Sequence, residues 1–596
     1  MKQYDVILAG GLDFAVPDSF GILLGQTILA KILEPEFRVH TVYFDRLNHS
    51  GELTYEADPE KTFQKLTDYL LRFEPRIIGF YTMANSFCST VELAERIHRK
   101  APDVTIIFGG PHATVMARDC LRAFPWLKAV SRGESEKTIL PQIRALLNGG
   151  SLAEVPQITY RDRDDIVSTP DVPLLDAAEL KKYSPVNCDL PCDRNTKITI
   201  EGGRGCPFSC SFCSTKSFWE RKFRIQPVQD ILDEMDAWHE KSGSVSFTIN
   251  HDNFTVNRSF VLDFCRALKE KGAPYRWHCS SRVDLLDAEL IDRMAEAGCS
   301  SIYLGIETGS TRMQKLIHKN LDLSHVLPVI DALTSHGMRV IVSFIYGFAD
   351  ETEDDFDDTL RLIEQIYLKD GSCVQYHLLC LYPCTEETDK VYEQTFFDEG
   401  TDYGETALSN TVSPRGMELI RQYKPLFIQH YTFHTPIRDR FRNLSVLVLL
   451  LNMCRENYSL TCKLLVKRHG LKKLFLQNEA AICELEKCIL SPIRDEKRRR
   501  SWVACLDRIV DAVGDDDTRE LFRMEKDVVE YLCSEEDGLP FIREYALDIP
   551  AAVRDNVCIR RQGKYSFALD DRTVVLRELG ENKSPVRLNE VHYILS

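Results

Sequence analysis

Short apolar runs alternate along the first quarter of the chain with longer stretches in which apolar residues return every three or four positions. The runs stand at 4–10 (YDVILAG), 39–45 (VHTVYFD), 76–82 (RIIGFYT), 104–110 (VTIIFGG) and 128–133 (KAVSRG), with helical periodicity near 20–33, 59–72, 88–100 and from 136. Strands rich in β-branched residues, each followed by an amphipathic helix, predict a doubly wound parallel sheet over residues 1–150. Ligands of such sheets sit beyond the carboxyl ends of the strands, and those ends are Gly-rich or polar: AGG (9–11), FYTMANS (80–86), GGPHAT (109–114) and GESE (133–136). No GxGxxG or P-loop opens a helix there, which disfavours a dinucleotide or a nucleoside triphosphate.

Residues 151–195 are rich in Asp and Pro and read as a linker carrying a small hairpin. A second alternation then begins, with strands at 197–203, 244–250, 275–281, 301–307, 339–347 and 374–382 and helices at 227–240, 258–271, 287–297, 324–336 and 353–368. Six βα units over 196–390 predict a partial (βα)6 barrel, whose chemistry belongs at the carboxyl ends of its strands. Residues 391–596 lose the strand signal and read as a mainly helical domain for substrate selection or barrel closure, and the basic run RDEKRRR (494–500) reads as a solvated helix face or loop. The fold class is thus α/β with a helical C-terminal part.

A length of 596 residues suits several domains, and 74 basic against 90 acidic residues leave a net charge of −16. That balance argues against general affinity for nucleic acid or anionic lipid. The start, MKQYDVILAGG, reads as a buried strand rather than a secretory signal, and the most apolar later run, 444–451, falls far short of the ~20 residues that cross a bilayer. A cytoplasmic protein with no membrane span is expected. Its 20 cysteines are then buried small hydrophobes or metal ligands rather than disulfides.

Directly after the first barrel strand stands Cys206-Pro207-Phe208-Ser209-Cys210-Ser211-Phe212-Cys213, a C-x3-C-x2-C triplet. Three thiolates on one loop suit three irons of a four-iron cluster and leave the fourth iron open to another ligand. Zinc is the alternative, and it would want a fourth Cys or His close by. Cys373, Cys380 and Cys384 read instead as structural thiols, because Cys373 falls on the opposite strand face from the other two.

The triplet resembles the radical S-adenosylmethionine (SAM) enzymes, and residues 1–390 resemble their cobalamin-binding subfamily. The resemblance implies that Cys206, Cys210 and Cys213 hold a [4Fe-4S] cluster and that SAM chelates its open iron. It implies that Phe212 packs on the adenine and that Asp252, in His251-Asp252-Asn253-Phe254, belongs to the second-strand signature, with His251 in place of its first acid. Arg282 in SSRVD would approach the methionyl carboxylate, Glu307 in LGIETGS the ribose or amine, and Tyr346-Gly347 in FIYGFADET would border the adenine. GGPHAT and RGESEKT resemble cobalamin-binding loops, placing Thr82, Gly109, Gly110, His112, Gly133 and Glu134 near the corrin. D-x-H-x-x-G is absent, so the resemblance implies cobalamin with its own base displaced and no histidine from that motif.

The activity implied is methylation of an unactivated carbon of a peptide or natural-product substrate through a 5′-deoxyadenosyl radical and methylcobalamin, with an external flavodoxin- or ferredoxin-like electron donor. Cyclisation, rearrangement or oxidation without methyl transfer is the alternative, and a non-catalytic cobalamin or iron-sulfur sensor a more remote one.

Overall fold

The computed structural model describes residues 4–12, 24–56, 58–183, 196, 198–398, 412–455, 457–489, 496–513 and 516–533, with short strands between 545 and 578. Strands β1 (Val6–Ala9), β2 (Val39–Val42), β3 (Ile77–Tyr81), β4 (Thr105–Gly109) and β5 (Leu127–Ser131) lie parallel in the order β2-β1-β3-β4-β5. Both faces are covered, which is why the strands read as unbroken apolar runs. Ile7, Ile78, Phe80 and Ile106 enter one core with Phe63, Phe87 and Val91, while Val6, Leu8, Ile77 and Ile107 enter another with Leu33 and Ile143. The order reverses between β1 and β3, which makes the carboxyl ends of those strands the ligand-binding crevice of this topology. The first helix is described only from Leu24, so the expected start at 20–23 lies outside the described residues.

The hairpin expected in the linker is β6 (Ile158–Asp162) and β7 (Asp165–Ser168), and it extends the first sheet: β6 pairs antiparallel with β5 and β7 with β6. An open β5 edge would expose unpaired backbone groups, and the hairpin covers them.

The second alternation folds as predicted. β8 (Ile198–Glu201), β11 (Ser246–Asn250), β12 (Arg276–Ser281), β13 (Cys299–Glu307), β14 (Arg339–Tyr346) and β15 (Ser372–Leu378) form one open sheet in the order β15-β14-β13-β12-β11-β8, parallel from β8 to β14. Between β8 and β11 lie two-residue strands, β9 (Gly203–Arg204) and β10 (Arg224–Ile225), paired antiparallel. Helices behind the sheet carry side-chain caps at Asn257 and Asp287, and Phe254, Phe264 and Trp277 meet edge to face within the core.

The chain divides into two compact units. The first holds residues 1–352 and 377–439, so part of the segment expected in the C-terminal domain belongs with the two sheets. Leu419, Leu426, Phe427 and Ile428 join the core beside β3 and β4, Ser413 donates to the buried Glu92, and Arg415 pairs with Glu95. The second unit holds residues 353–376, 440–489 and 494–596. It contains the helices Leu444–Cys454, Ser459–His469, Leu471–Ile489, Glu496–Val513 and Asp516–Cys533 and, besides these, antiparallel strands at Cys558–Arg560, Tyr565–Asp570 and Thr573–Glu578. Residues 494 and 495 of the basic run lie outside the described residues, and 496–500 open a helix.

Candidate active site

β9 and β10 close the base of a loop, residues 205–223, at the carboxyl end of β8, and this loop carries all three triplet cysteines. Gly205 (φ +87) makes the entry turn; a Cβ there would lie 2.0 Å from the Lys222 carbonyl, so only glycine fits. Gly205 N donates to Asp252 Oδ2 at 3.0 Å, and Ser211 N donates to the Ile317 carbonyl at 3.0 Å. Cys206, Cys210 and Cys213 are half-buried free thiols. Burial pushes the Cys206 thiol up to about 11, with the two other thiols adding to the rise. Among the described residues no group of three or more His, Cys, Asp or Glu side chains is set to hold a metal ion.

Two cations stand beside this loop. Arg282, 6% exposed, follows β12 and lies over the Phe208 ring at 3.9 Å. Its Nη2 donates to the Lys319 carbonyl (2.8 Å) and pairs with Asp284 (2.9 Å), whereas Nη1 is buried without a hydrogen-bond partner. A buried guanidinium nitrogen left open beside the cluster loop suits an incoming carboxylate. Glu307 ends β13 at a register shift, with φ +69, a strained conformation for a non-glycine residue. Its Oε1 meets Lys319 Nζ at 3.0 Å. Burial pushes the Cys210 thiol up, while the nearby Lys319 and Arg282 lower it. Sequence reasoning missed Lys319.

The remaining barrel residues divide. Phe212 packs edge to face on Phe348 (6.1 Å), and Asp252 tethers the cluster loop through Gly205. His251 braces the loop base, since its Nε2 donates to the Arg224 carbonyl (3.2 Å) and its Nδ1 accepts from Asn253 N (2.9 Å). Tyr346 is fully buried. Gly347 (φ +80) serves Arg438: a Cβ would lie 2.8 Å from Arg438 Cγ, and Arg438 Nη1 donates to the Gly347 carbonyl at 3.0 Å. Arg221 reaches the Pro207 carbonyl across the cluster loop, and Cys384 is exposed rather than buried.

At the crevice of the first sheet, Thr82 ties two strand ends together. Its hydroxyl donates to the Gly109 carbonyl (2.8 Å) and accepts from Ala113 N (3.0 Å), and the residue is fully buried. Gly110 (φ +93) presses on Thr82, where a Cβ would lie 2.7 Å from the carbonyl oxygen, so this glycine serves loop against loop. His112 Nε2 donates to the Leu426 carbonyl at 2.9 Å and the ring packs on Phe87. Gly133 (φ +58) donates its amide to Thr114 Oγ1. Met83 is 40% exposed just beyond β3, and Gln429, anchored on the Ala84 carbonyl (3.1 Å), has its Oε1 buried without a hydrogen-bond partner, as is Nε2 of His430.

Glu134 lies in a buried network of charges. Its Oε1 accepts from Arg204 (2.9 Å) and Arg224 (2.7 Å), and its Oε2 accepts from Leu175 N (2.7 Å). Arg204 also pairs with Glu136 (2.7 Å) and Glu201 (2.6 Å). These buried charges bind the β5 loop of the first sheet to the β9–β10 base of the cluster loop.

Comparison with known proteins agrees with this division. A family model for the radical SAM superfamily matches residues 200–363, and one for the B12 binding domain matches residues 21–140. An uncharacterized methyltransferase of Pyrococcus horikoshii is 27% identical over 348 residues, 57% of this chain and 74% of that protein. An anaerobic magnesium-protoporphyrin IX monomethyl ester cyclase of Rubrivivax gelatinosus is 26% identical over 52% of this chain and 57% of its own length. A cytidylyl-2-hydroxyethylphosphonate methyltransferase of Streptomyces wedmorensis is 30% identical over 46% of this chain and 58% of its own length. The chain thus spans little more than half of these last two relatives.

Among solved structures, the cobalamin-dependent SAM radical enzyme OxsB with aqua-cobalamin bound superposes with a TM-score of 0.56 at 15% identity, covering 90% of this chain and 82% of that one. The radical SAM methyltransferase TsrM from Kitasatospora setae gives 0.54 at 16% identity, covering 65% and 76%. No helix among the described residues is long and apolar enough to cross a membrane. Residues 21–140 thus match a B12 binding domain and residues 200–363, with the three-cysteine loop, a radical SAM domain, and these two domain types imply cobalamin, a [4Fe-4S] cluster and SAM as cofactors.

Proposed function

We propose that the protein methylates a carbon atom of a small-molecule or peptide substrate in the cytoplasm, with electrons from a flavodoxin- or ferredoxin-like donor. The observation that carries this reading is the union, in one compact unit, of the three-thiol loop with a B12 binding domain. When bound, the cofactors supply hydrogen abstraction from an unactivated carbon and a transferable methyl group.

The chain's own residues hold and orient. Cys206, Cys210 and Cys213 would each ligate one iron. Arg282 would offer Nη1 to the SAM carboxylate, Glu307 would accept from its ribose or amine, and Phe212 would lie against its adenine. Gly109, Gly110 and Gly133 would present backbone to the corrin, with Gln429 and His430 supplying polar contacts from the segment beside β3. Glu134, Arg204 and Arg224 would fix the two cofactor regions relative to each other.

Methylation is favoured over ring closure because two of the three sequence relatives and one of the two structural neighbours are methyltransferases by description, although one relative is a cyclase. The test is the product balance from SAM. Methylation predicts S-adenosylhomocysteine and 5′-deoxyadenosine in about equal amounts, because one SAM remakes the methyl donor and another initiates the reaction. 5′-Deoxyadenosine and altered substrate without S-adenosylhomocysteine would exclude methyl transfer and favour cyclisation; S-adenosylhomocysteine alone would mean polar methylation.

A further inference from the structure

Lys319 belongs to no cysteine motif, yet it is buried against the cluster loop. It follows the helix Thr311–Leu316, between His318 (φ +57) and Asn320 (φ +56), both in the left-handed region. Its amide and that of Asn320 donate to the Gln314 carbonyl, and its own carbonyl accepts from Arg282. Ile317, two residues before it, holds Ser211 of the cluster loop. The turn is therefore fixed on both sides, to the cluster loop and to the end of β12.

From this frame the ammonium reaches Glu307 Oε1 at 3.0 Å, with both side chains a tenth exposed or less. Gly305 opens the space in which they meet, since a Cβ there would lie 2.3 Å from Glu307 Oε1 and 3.0 Å from Lys319 Nζ. Burying an ion pair is costly unless other charges or hydrogen bonds compensate. The negative charge of a thiolate-bound cluster would provide such compensation.

We propose that Lys319 is a positioning residue that holds Glu307 at the end of β13 and, through its fixed charge beside the cluster loop, sets the reduction potential of the cluster. The inference rests on the cluster reading given above. A nearby positive charge stabilises the reduced, more negative cluster, so its removal disfavours reduction.

The experiment is a reductive titration followed by electron paramagnetic resonance, without SAM, on reconstituted wild type, K319M, K319R, E307Q and E307Q/K319M, with iron counted first. K319M should hold iron and be harder to reduce by at least about tenfold in the equilibrium, 59 mV for one electron, while K319R stays near wild type. Should K319M lose iron because Glu307 is left buried and unpaired, the comparison of E307Q/K319M with E307Q carries the test, with the same tenfold difference expected. Equal midpoints within either pair measured, or a K319R shift as large as that of K319M, overturns the proposal. Wild type that takes up no iron would refute the cluster reading instead.

Discussion

Replacing Arg204 by Met tests the charged link between the two cofactor-binding regions. The Arg204 side chain is 8% exposed and meets Glu134, Glu136 and Glu201, themselves 4%, 6% and 9% exposed. Three acids now face the two guanidinium groups of Arg204 and Arg224; the variant leaves three acids against one. Removing one partner of a buried ion pair costs about 3–5 kcal/mol, because the desolvated charges left behind lose their compensation. A protein of several domains does not unfold in one step, so the loss is best read locally. Hydrogen exchange at the β9–β10 ladder should quicken by at least about a hundredfold, since each 1.4 kcal/mol is a factor of ten. Arg204→Lys should fall between, because an ammonium lacks the planar fork that serves several carboxylates at once. Exchange within a few-fold of wild type in Arg204→Met would refute the claim that these charges hold the loop base.

Changing Cys206, Cys210 and Cys213 together to Ala should abolish bound iron and SAM cleavage while leaving corrinoid binding intact, checked by iron assay, product analysis and gel filtration. Gly110→Val should reduce corrinoid retention, because its Cβ would meet the Thr82 backbone at 2.7–2.8 Å and displace the strand-end loops, yet SAM should still be cleaved; Glu307→Ala should show the opposite pattern. In the second unit, burial pushes the Glu525 carboxyl from 4.5 up to about 7, although its oxygens accept from the amides of Leu460 and Thr461. A pKa raised by folding means stability that is fully present below the unfolded value and lost as pH rises through the folded one. The melting temperature of the second unit should therefore fall between about pH 4.5 and about pH 7, and Glu525→Gln should flatten that slope.

Strand and helix order was legible because both sheets are parallel and buried, so each strand stands out as an apolar run between amphipathic helices. The cysteine loop was legible because its ligands are local in sequence. Long-range pairings were not. Glu134 looked like a ligand-facing residue of a Gly-rich strand end, and only the fold brings Arg204 to it from 70 residues away. His112 meets a carbonyl 314 residues away, and Arg438 fills the space beside Gly347 from a distance of 91 residues. Lys319 left one weak local sign, a His-Lys-Asn turn after a short helix, in which the flanking residues take left-handed conformations.

The central claim, that one chain carries both an iron-sulfur cluster and a corrinoid, is tested most directly by reconstituting the protein anaerobically with iron, sulfide and hydroxocobalamin and assaying the gel-filtered peak for both. The account predicts about four irons per chain together with stoichiometric, base-off corrinoid in the same peak. A peak that holds iron but sheds all corrinoid, or corrinoid without iron, would contradict it.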